Sequence, residues 1–195
     1  MQQTEPIGQP PPRKLLILDL DETIIYATGK ILAQPHDFHI GGKRVYKRPY
    51  LNRFLEFAFE RFDVAIWTQS HEKYSAPAVT GIFPEPERLA FVWTYNRCTF
   101  CANPAMRQYY WVKDLRKVRR RGYRLENVIM IDDSARKLER SWGNLMRIRP
   151  FHGDHHDREL EYAEQYLRIL YAEPNVRTVD KRYWREEMLG EEIPI

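Results

Sequence analysis

The chain has 195 residues, a length that suits one domain with a sizeable core. Its 43% hydrophobic and 30% charged content sets it among globular chains and excludes disordered and fibrous classes. A net charge of +4 is too weak to argue nucleic-acid binding, and no apolar run is long enough to span a membrane.

Residues 1–12 are rich in Gln and Pro and are expected to form a disordered lead. They lack the charged start and apolar stretch of a secretory signal. Residues 13–195 read as a single domain. "KLLILDL" is a continuous apolar run, as in a central strand covered on both faces, and it ends in Asp19, Asp21 and Glu22. "DFHIGGKRVYKRP" predicts a hairpin turning at Gly41-Gly42. Pro49 is expected at the first position of a helix with Leu51, Phe54, Leu55, Ala58 and Phe62 on one face. "DVAIWT" is a second strand, ending in Thr68, Gln69 and Ser70, with Ser70 expected to cap the helix that follows. "RLAFVWT" is a third strand, and "NRCTFCANPAMRQYYW" reads as irregular or short-stranded.

"VKDLRKVRRRG" predicts a helix closing on Gly122. "NVIMIDDS" is a fourth strand ending in Asp132 and Asp133, with Ser134 expected to cap "ARKLERSW". "LMRIRP" is a fifth strand. A helix over "DRELEYAEQYLRILYA" follows, with Leu160, Ala163, Leu167 and Leu170 inward, and a short helix closes the chain between Asp180 and Leu189. This alternation predicts an α/β fold, a Rossmann-like, mostly parallel sheet flanked by helices.

Strands of an open parallel sheet present their C-terminal ends on one edge, where ligands bind. Asp19, Asp21, Asp132 and Asp133 would converge there and need a compensating cation. Oxygen ligands without convincing His or Cys partners favour Mg²⁺ over Zn²⁺. Mg²⁺ commonly keeps phosphate oxygens as ligands. Thr68 could supply a hydroxyl to such a phosphate, and Lys113 a point charge.

"DLDET", "WTQS", "VKDL" and "IDDS", in that order, resemble the four motifs of the haloacid dehalogenase superfamily of aspartate-nucleophile phosphatases. The surrounding text, "KRPYLNRFLEF", "WTQSHEKYS", "YNRCTF", "WVKDLRKV" and "VIMIDDSARK", is similar to the small C-terminal-domain phosphatases of the NLI-interacting-factor type over Lys14 to Tyr171. The resemblance implies Asp19 as nucleophile and Asp21 as general acid, then base. It implies Mg²⁺ on Asp19, the backbone carbonyl of Asp21, and Asp132. Thr68 and Lys113 would bind phosphoryl oxygens, and Thr23 would brace the loop. Asp133 would stand behind the ion's ligands or order a water. The sequence departs from close relatives at Gln69, usually a small residue, and at Asp133, often Asn. Gln69 therefore bears on specificity.

The hairpin between Ile24 and Tyr46 is too short for a globular cap, and the Tyr95–Trp111 insert is modest. An open site favours a phosphorylated protein segment, so a Mg²⁺-dependent protein serine/threonine phosphatase is expected. Tyr95, Tyr109, Tyr110 and Trp111 are candidates for the wall that meets it. The rivals are a phosphatase for nucleic-acid ends or a small phosphoester, and a non-catalytic phospho-partner binding module. Retention of both Asp19 and Asp21 argues against the second. Neither a membrane nor nucleic acid is an expected partner, and a monomer is expected. Cys98 and Cys101 cannot make a four-ligand zinc site and read as buried structural residues. With no disulfide framework, the cytoplasm is the default compartment, or the nucleus in a eukaryote. "HGDHHD", holding His152, His155 and His156, reads as a solvated loop. "RKVRRRGYR" reads as a wet helix face that could also meet an acidic or phosphorylated partner.

Overall fold

The computed structural model describes residues 13–103 and 107–192, so the lead expected over 1–12 lies outside the described residues. Strand β1 is Leu15–Leu18. After it come β2 (Ile25–Thr28), β3 (Phe38–Ile40), β4 (Lys43–Lys47), helix α1 (Leu51–Arg61), β5 (Asp63–Trp67), α2 (Glu72–Ile82) and β6 (Val92–Trp93). The second half holds β7 (Thr99–Asn103), β8 (Gln108–Val112), β9 (Val128–Asp132), β10 (Leu145–Arg147), α3 (Glu159–Ala172) and α4 (Trp184–Leu189). The main sheet has five parallel strands in the order β10-β9-β1-β5-β6.

Alternate residues of the sheet feed two cores. Leu16, Leu18, Val64, Ile66, Ile129 and Ile131 face one; Leu15, Ile17, Ala65, Trp67, Val128 and Met130 face the other. Side chains of α1, α2, α3 and α4 join the first core, including the fully buried Leu160, Ala163, Leu167 and Leu170. The second core is closed by 3-10 turns at Leu115–Arg121 and Ala135–Leu138, through Leu115, Val118 and Leu138. The α-helix expected over "VKDLRKVRRRG" is therefore a seven-residue 3-10 turn, although it does end on Gly122 at φ 88°. Its exposed Arg116, Arg119, Arg120 and Arg121 offer no apolar stripe beyond Leu115 and Val118 for a longer helix to bury.

Two insertions interrupt the sheet. One is a three-stranded antiparallel flap, β2-β4-β3, with one more strand than the expected hairpin; the other is the β7-β8 hairpin, the short-stranded of the two alternatives expected there. Pro49 does not open α1. It stands in a turn closed by Leu51 N–H donating to the Arg48 carbonyl (3.2 Å), with Tyr50 at φ 64° and ψ 4°. That is a type II turn, in which Pro suits the second position and positive φ falls on the third. The third main strand is only Val92–Trp93, and Arg88 of the expected run belongs instead to a 3-10 turn over Pro86–Arg88.

The loop after β1 is anchored from behind. Buried Arg48 donates from Nε and a terminal nitrogen to both oxygens of Asp157 (2.8 Å each), and from its other nitrogen to the Thr23 carbonyl (2.9 Å). Bidentate geometry of this kind is what makes a buried guanidinium tolerable. The Thr23 hydroxyl is buried without a hydrogen-bond partner among the described residues, so the expected bracing runs through its carbonyl.

Candidate active site

β1 is central, flanked by β9 and β5, so Asp19, Asp132 and Thr68 end adjacent strands on one edge. After β1 the chain builds outward to β5 and β6, then returns to place β9 and β10 on the other side. The reversal falls between β1 and β9, where open parallel sheets leave a ligand crevice.

Asp19 is 1% exposed. Lys113 Nζ lies 2.9 Å from its Oδ1 and Lys137 Nζ 2.6 Å from its Oδ2. Burial pushes this carboxyl up, but the two ammonium charges outweigh burial and hold it below the ordinary range. Asp132 is fully buried, with its Oδ2 2.6 Å from Lys113 Nζ and its Oδ1 accepting from the Ser134 amide (2.9 Å). Burial and the Asp19 charge push Asp132 upward, against the pull of both lysines. The Ser134 amide thus donates to Asp132, and the Ser134 side chain makes no cap bond.

Asp21 stands in a different setting. Its Oδ2 accepts from Ser70 Oγ (2.9 Å), and its Oδ1 accepts from the Tyr74 hydroxyl. Burial raises its carboxyl above the ordinary value, Asp19 adds to the rise, and the two hydroxyl donors oppose it. Two aspartates two residues apart are thereby driven in opposite directions. Ser70 does not cap α2, whose N-cap is His71, because its hydroxyl is taken by Asp21. Thr68 is buried and its Oγ1 accepts from the Ser70 amide (3.0 Å). Gln69 Nε2 donates to the Trp111 carbonyl (2.7 Å), joining the β5 end to the β7-β8 insert.

Oxygens of Asp19, Asp132 and Asp133, one from each, all lie within 4.8 Å of one another. A set of hard carboxylate oxygens without nitrogen or sulfur fits Mg²⁺. Asp133, expected behind the ion's ligands, belongs to this cluster.

A groove of about 490 Å³ opens beside Asp21. It runs between the flap, through Tyr26, Ala27 and Lys43, and the β5–α2 junction, through Gln69, Ser70, His71 and Tyr74. Glu22, at φ 58°, lines it too. The wall expected from Tyr95, Tyr109, Tyr110 and Trp111 is not part of this groove. Tyr110 is held by Glu139 (2.9 Å), Tyr109 is 74% exposed, and Tyr95 packs against Trp111 with ring centres 4.5 Å apart.

Sequence reasoning missed three groups that the fold brings in: Tyr74, the Ser70 hydroxyl as a partner of Asp21, and Lys137. Lys137 follows Asp133 by four residues, which on a helical turn reads as an ordinary surface ion pair. Tyr74 carries no signal in sequence beyond its place in the first turn of a helix beginning at the site.

Cys98 and Cys101 are both free and buried, as expected, and burial pushes the Cys98 thiol up. His152, His155 and His156 are exposed and join no metal-ligating cluster among the described residues. Their loop instead seats the flap. Gly153 takes φ 88°, its carbonyl accepts from Gln34, and a Cβ there would fall 2.3 Å from Leu32 Cδ1. The described residues contain no helix long and apolar enough to cross a membrane.

The sequence model of the family described as "NLI interacting factor-like phosphatase" matches residues 14–177. Among curated proteins, "Probable C-terminal domain small phosphatase" of Dictyostelium discoideum is 31% identical over 174 residues, 85% of this chain and 53% of that protein. "CTD small phosphatase-like protein 2" of the same organism is 26% identical over 197 residues, 91% of this chain and 32% of that protein. The chain spans between 32% and 58% of the length of several such relatives. Among solved structures, that of Fcp1, described as an essential RNA polymerase II CTD phosphatase, superposes with a TM-score of 0.63 at 18% identity. The match covers 82% of this chain and 62% of that one, and is a likeness of fold.

Proposed function

The chain belongs to the NLI interacting factor-like phosphatase family, and from that premise we propose a Mg²⁺-dependent phosphomonoesterase for phosphoserine or phosphothreonine in a protein segment. The observation that carries this reading is the divergence of Asp19 and Asp21. One is held ionised by Lys113 and Lys137, and the other is pushed by burial towards keeping its proton.

Asp19 attacks phosphorus as a carboxylate, forming an O–P bond as the bond to the leaving oxygen breaks. Asp21 delivers its proton to that oxygen, so a seryl or threonyl hydroxyl departs neutral. Water then attacks the aspartyl-phosphate, Asp21 accepts its proton, and inorganic phosphate leaves with Asp19 restored. Thr68 and Lys113 bind the phosphoryl oxygens. Asp19, Asp132 and the backbone carbonyl of Asp21, with the Asp133 carboxylate beside them, would hold Mg²⁺, which would offset charge on the phosphoryl group. The groove between flap and α2 suits an extended chain on the leaving-group side, because it borders Asp21. Its openness favours a peptide over a small metabolite. Two free buried thiols fit a reducing compartment, cytoplasm or nucleus.

The test is release of phosphate from phosphoserine and phosphothreonine peptides, with nucleic-acid ends and small phosphoesters as comparison substrates, with and without Mg²⁺. Turnover that needs Mg²⁺, prefers peptide and vanishes in Asp19→Asn is expected. Full activity in Asp19→Asn, or turnover without metal, would overturn the mechanism; no turnover in the wild type would favour a binding module.

A further inference from the structure

Two lysines divide the oxygens of the acidic cluster between them, and they are not equivalent. Lys113 Nζ takes Asp19 Oδ1 and Asp132 Oδ2, and its side chain is fully buried. Lys137 Nζ takes Asp19 Oδ2 (2.6 Å), Asp132 Oδ1 (3.1 Å) and Asp133 Oδ1 (3.0 Å). It therefore touches one oxygen from each of the three carboxylates suited to a metal ion. Its side chain is 21% exposed, so it has a way out that Lys113 lacks.

The backbone of Lys137 is fixed, because its carbonyl accepts from the Lys113 amide (2.7 Å). Only the flexible four-carbon stem is left to move. A Mg²⁺ ion needs its oxygens at about 2.0–2.1 Å, and an ammonium in contact with an oxygen of each of these three carboxylates competes for the space among them. Charge favours an exchange over coexistence. With Lys113 in place and Lys137 withdrawn, three carboxylates and one ammonium leave a deficit of two charges, which a divalent ion cancels.

We propose that Lys137 is a tethered cation that fills the Mg²⁺ position of the acidic cluster and must swing towards solvent before the ion can bind. This rests on the metal reading given above. The stand-in keeps Asp19, Asp132 and Asp133 together without metal, and it sets a threshold of free Mg²⁺ for loading. Apparent affinity is the intrinsic affinity multiplied by the fraction of molecules whose lysine is withdrawn.

The test is calorimetric titration of Mg²⁺ into wild-type protein, Lys137→Met and Asp132→Asn, the last marking binding outside the cluster. Lys137→Met is expected to bind Mg²⁺ about tenfold more tightly or better. In the wild type, acetylation of Lys137 by a soluble amine-reactive ester, followed by mass spectrometry, is expected to rise several-fold on saturation with Mg²⁺. Wild type and Lys137→Met binding Mg²⁺ with equal affinity would overturn the exchange and leave the metal reading standing. Binding in neither would overturn both. Should Lys137→Met fail to fold, unchanged acetylation of wild-type Lys137 across the Mg²⁺ titration overturns the exchange.

Discussion

Asp21 is held in balance by opposing influences that mutation can separate. Burial and the Asp19 charge favour its protonated form, while the Tyr74 and Ser70 hydroxyls favour its carboxylate. Removing the Tyr74 donor by Tyr74→Phe should therefore raise Asp21 further. A general acid limits the alkaline side of a pH profile, so the falling limb of kcat/KM is expected to move to higher pH in that variant. A pH–rate series on a phosphoserine peptide checks this; a limb moving to lower pH would contradict the assignment. Asp21→Asn should lose about 10²–10⁴-fold in kcat on such a peptide. The loss should be smaller with p-nitrophenyl phosphate, whose leaving group needs little protonation, and comparing the two substrates reads the acid role directly. The pair Asp19 and Asp21 was legible from spacing alone. The hydroxyls that tune Asp21 were not, because Ser70 and Tyr74 lie 49 and 53 positions away and meet it only when β5 pairs with β1.

Among the elements, the site depends on turns whose anchors are remote in sequence. Arg48 closes β4 and reaches forward to Asp157 at the start of α3 and back to the Thr23 carbonyl. Its side chain is fully buried, so Asp157→Ala leaves an unpaired charge inside the protein. Breaking a buried pair from one side costs about 3–5 kcal/mol. Urea unfolding of Asp157→Ala should show a loss of that size, whereas an exposed pair such as Arg88–Glu85 should cost under about 1 kcal/mol when broken. The strands were readable because long apolar runs ending in acids have few alternative readings. The 3-10 turns at Leu115–Arg121 and Ala135–Leu138 were not, since a basic run with two or three apolar residues fits either helix type.

At the scale of the molecule, the first core is closed by the chain's final described segment. Trp184 Nε1 donates to the Arg147 carbonyl (2.6 Å), and the Tyr166 hydroxyl donates to the Asp180 carbonyl (3.3 Å). Between them Lys181 is 6% exposed and donates to the carbonyls of Val176 and Val179. Burial pulls its ammonium down to about 8. Between that value and the unfolded value near 10.4, the unfolded chain binds more protons, so this residue makes stability rise with pH. Below about 8 the lysine is protonated in both states, and the cost of its buried charge stays constant. Relative to Lys181→Met, the wild type should gain roughly 1–3 kcal/mol between about pH 7.5 and about pH 10. Chemical unfolding of both proteins across that range checks the sign; a flat difference would mean that the ammonium is solvated.

The sequence by itself determined the α/β class, the buried apolar strands, the inward faces of α1 and α3, and the acids at the ends of β1 and β9. Each of these is a local pattern: a period of 3.6, or an apolar run stopped by charge. Tertiary structure decided what surrounds those acids. It made the flap and the β5–α2 junction the two walls of the groove, turned Ser70 from a cap into a partner of Asp21, and brought Lys137 onto three carboxylates. The physical reason is that a carboxylate's behaviour depends on burial and on charges within a few ångströms. Those neighbours come from strands that pair only in the folded sheet, and their spacing along the chain does not record it.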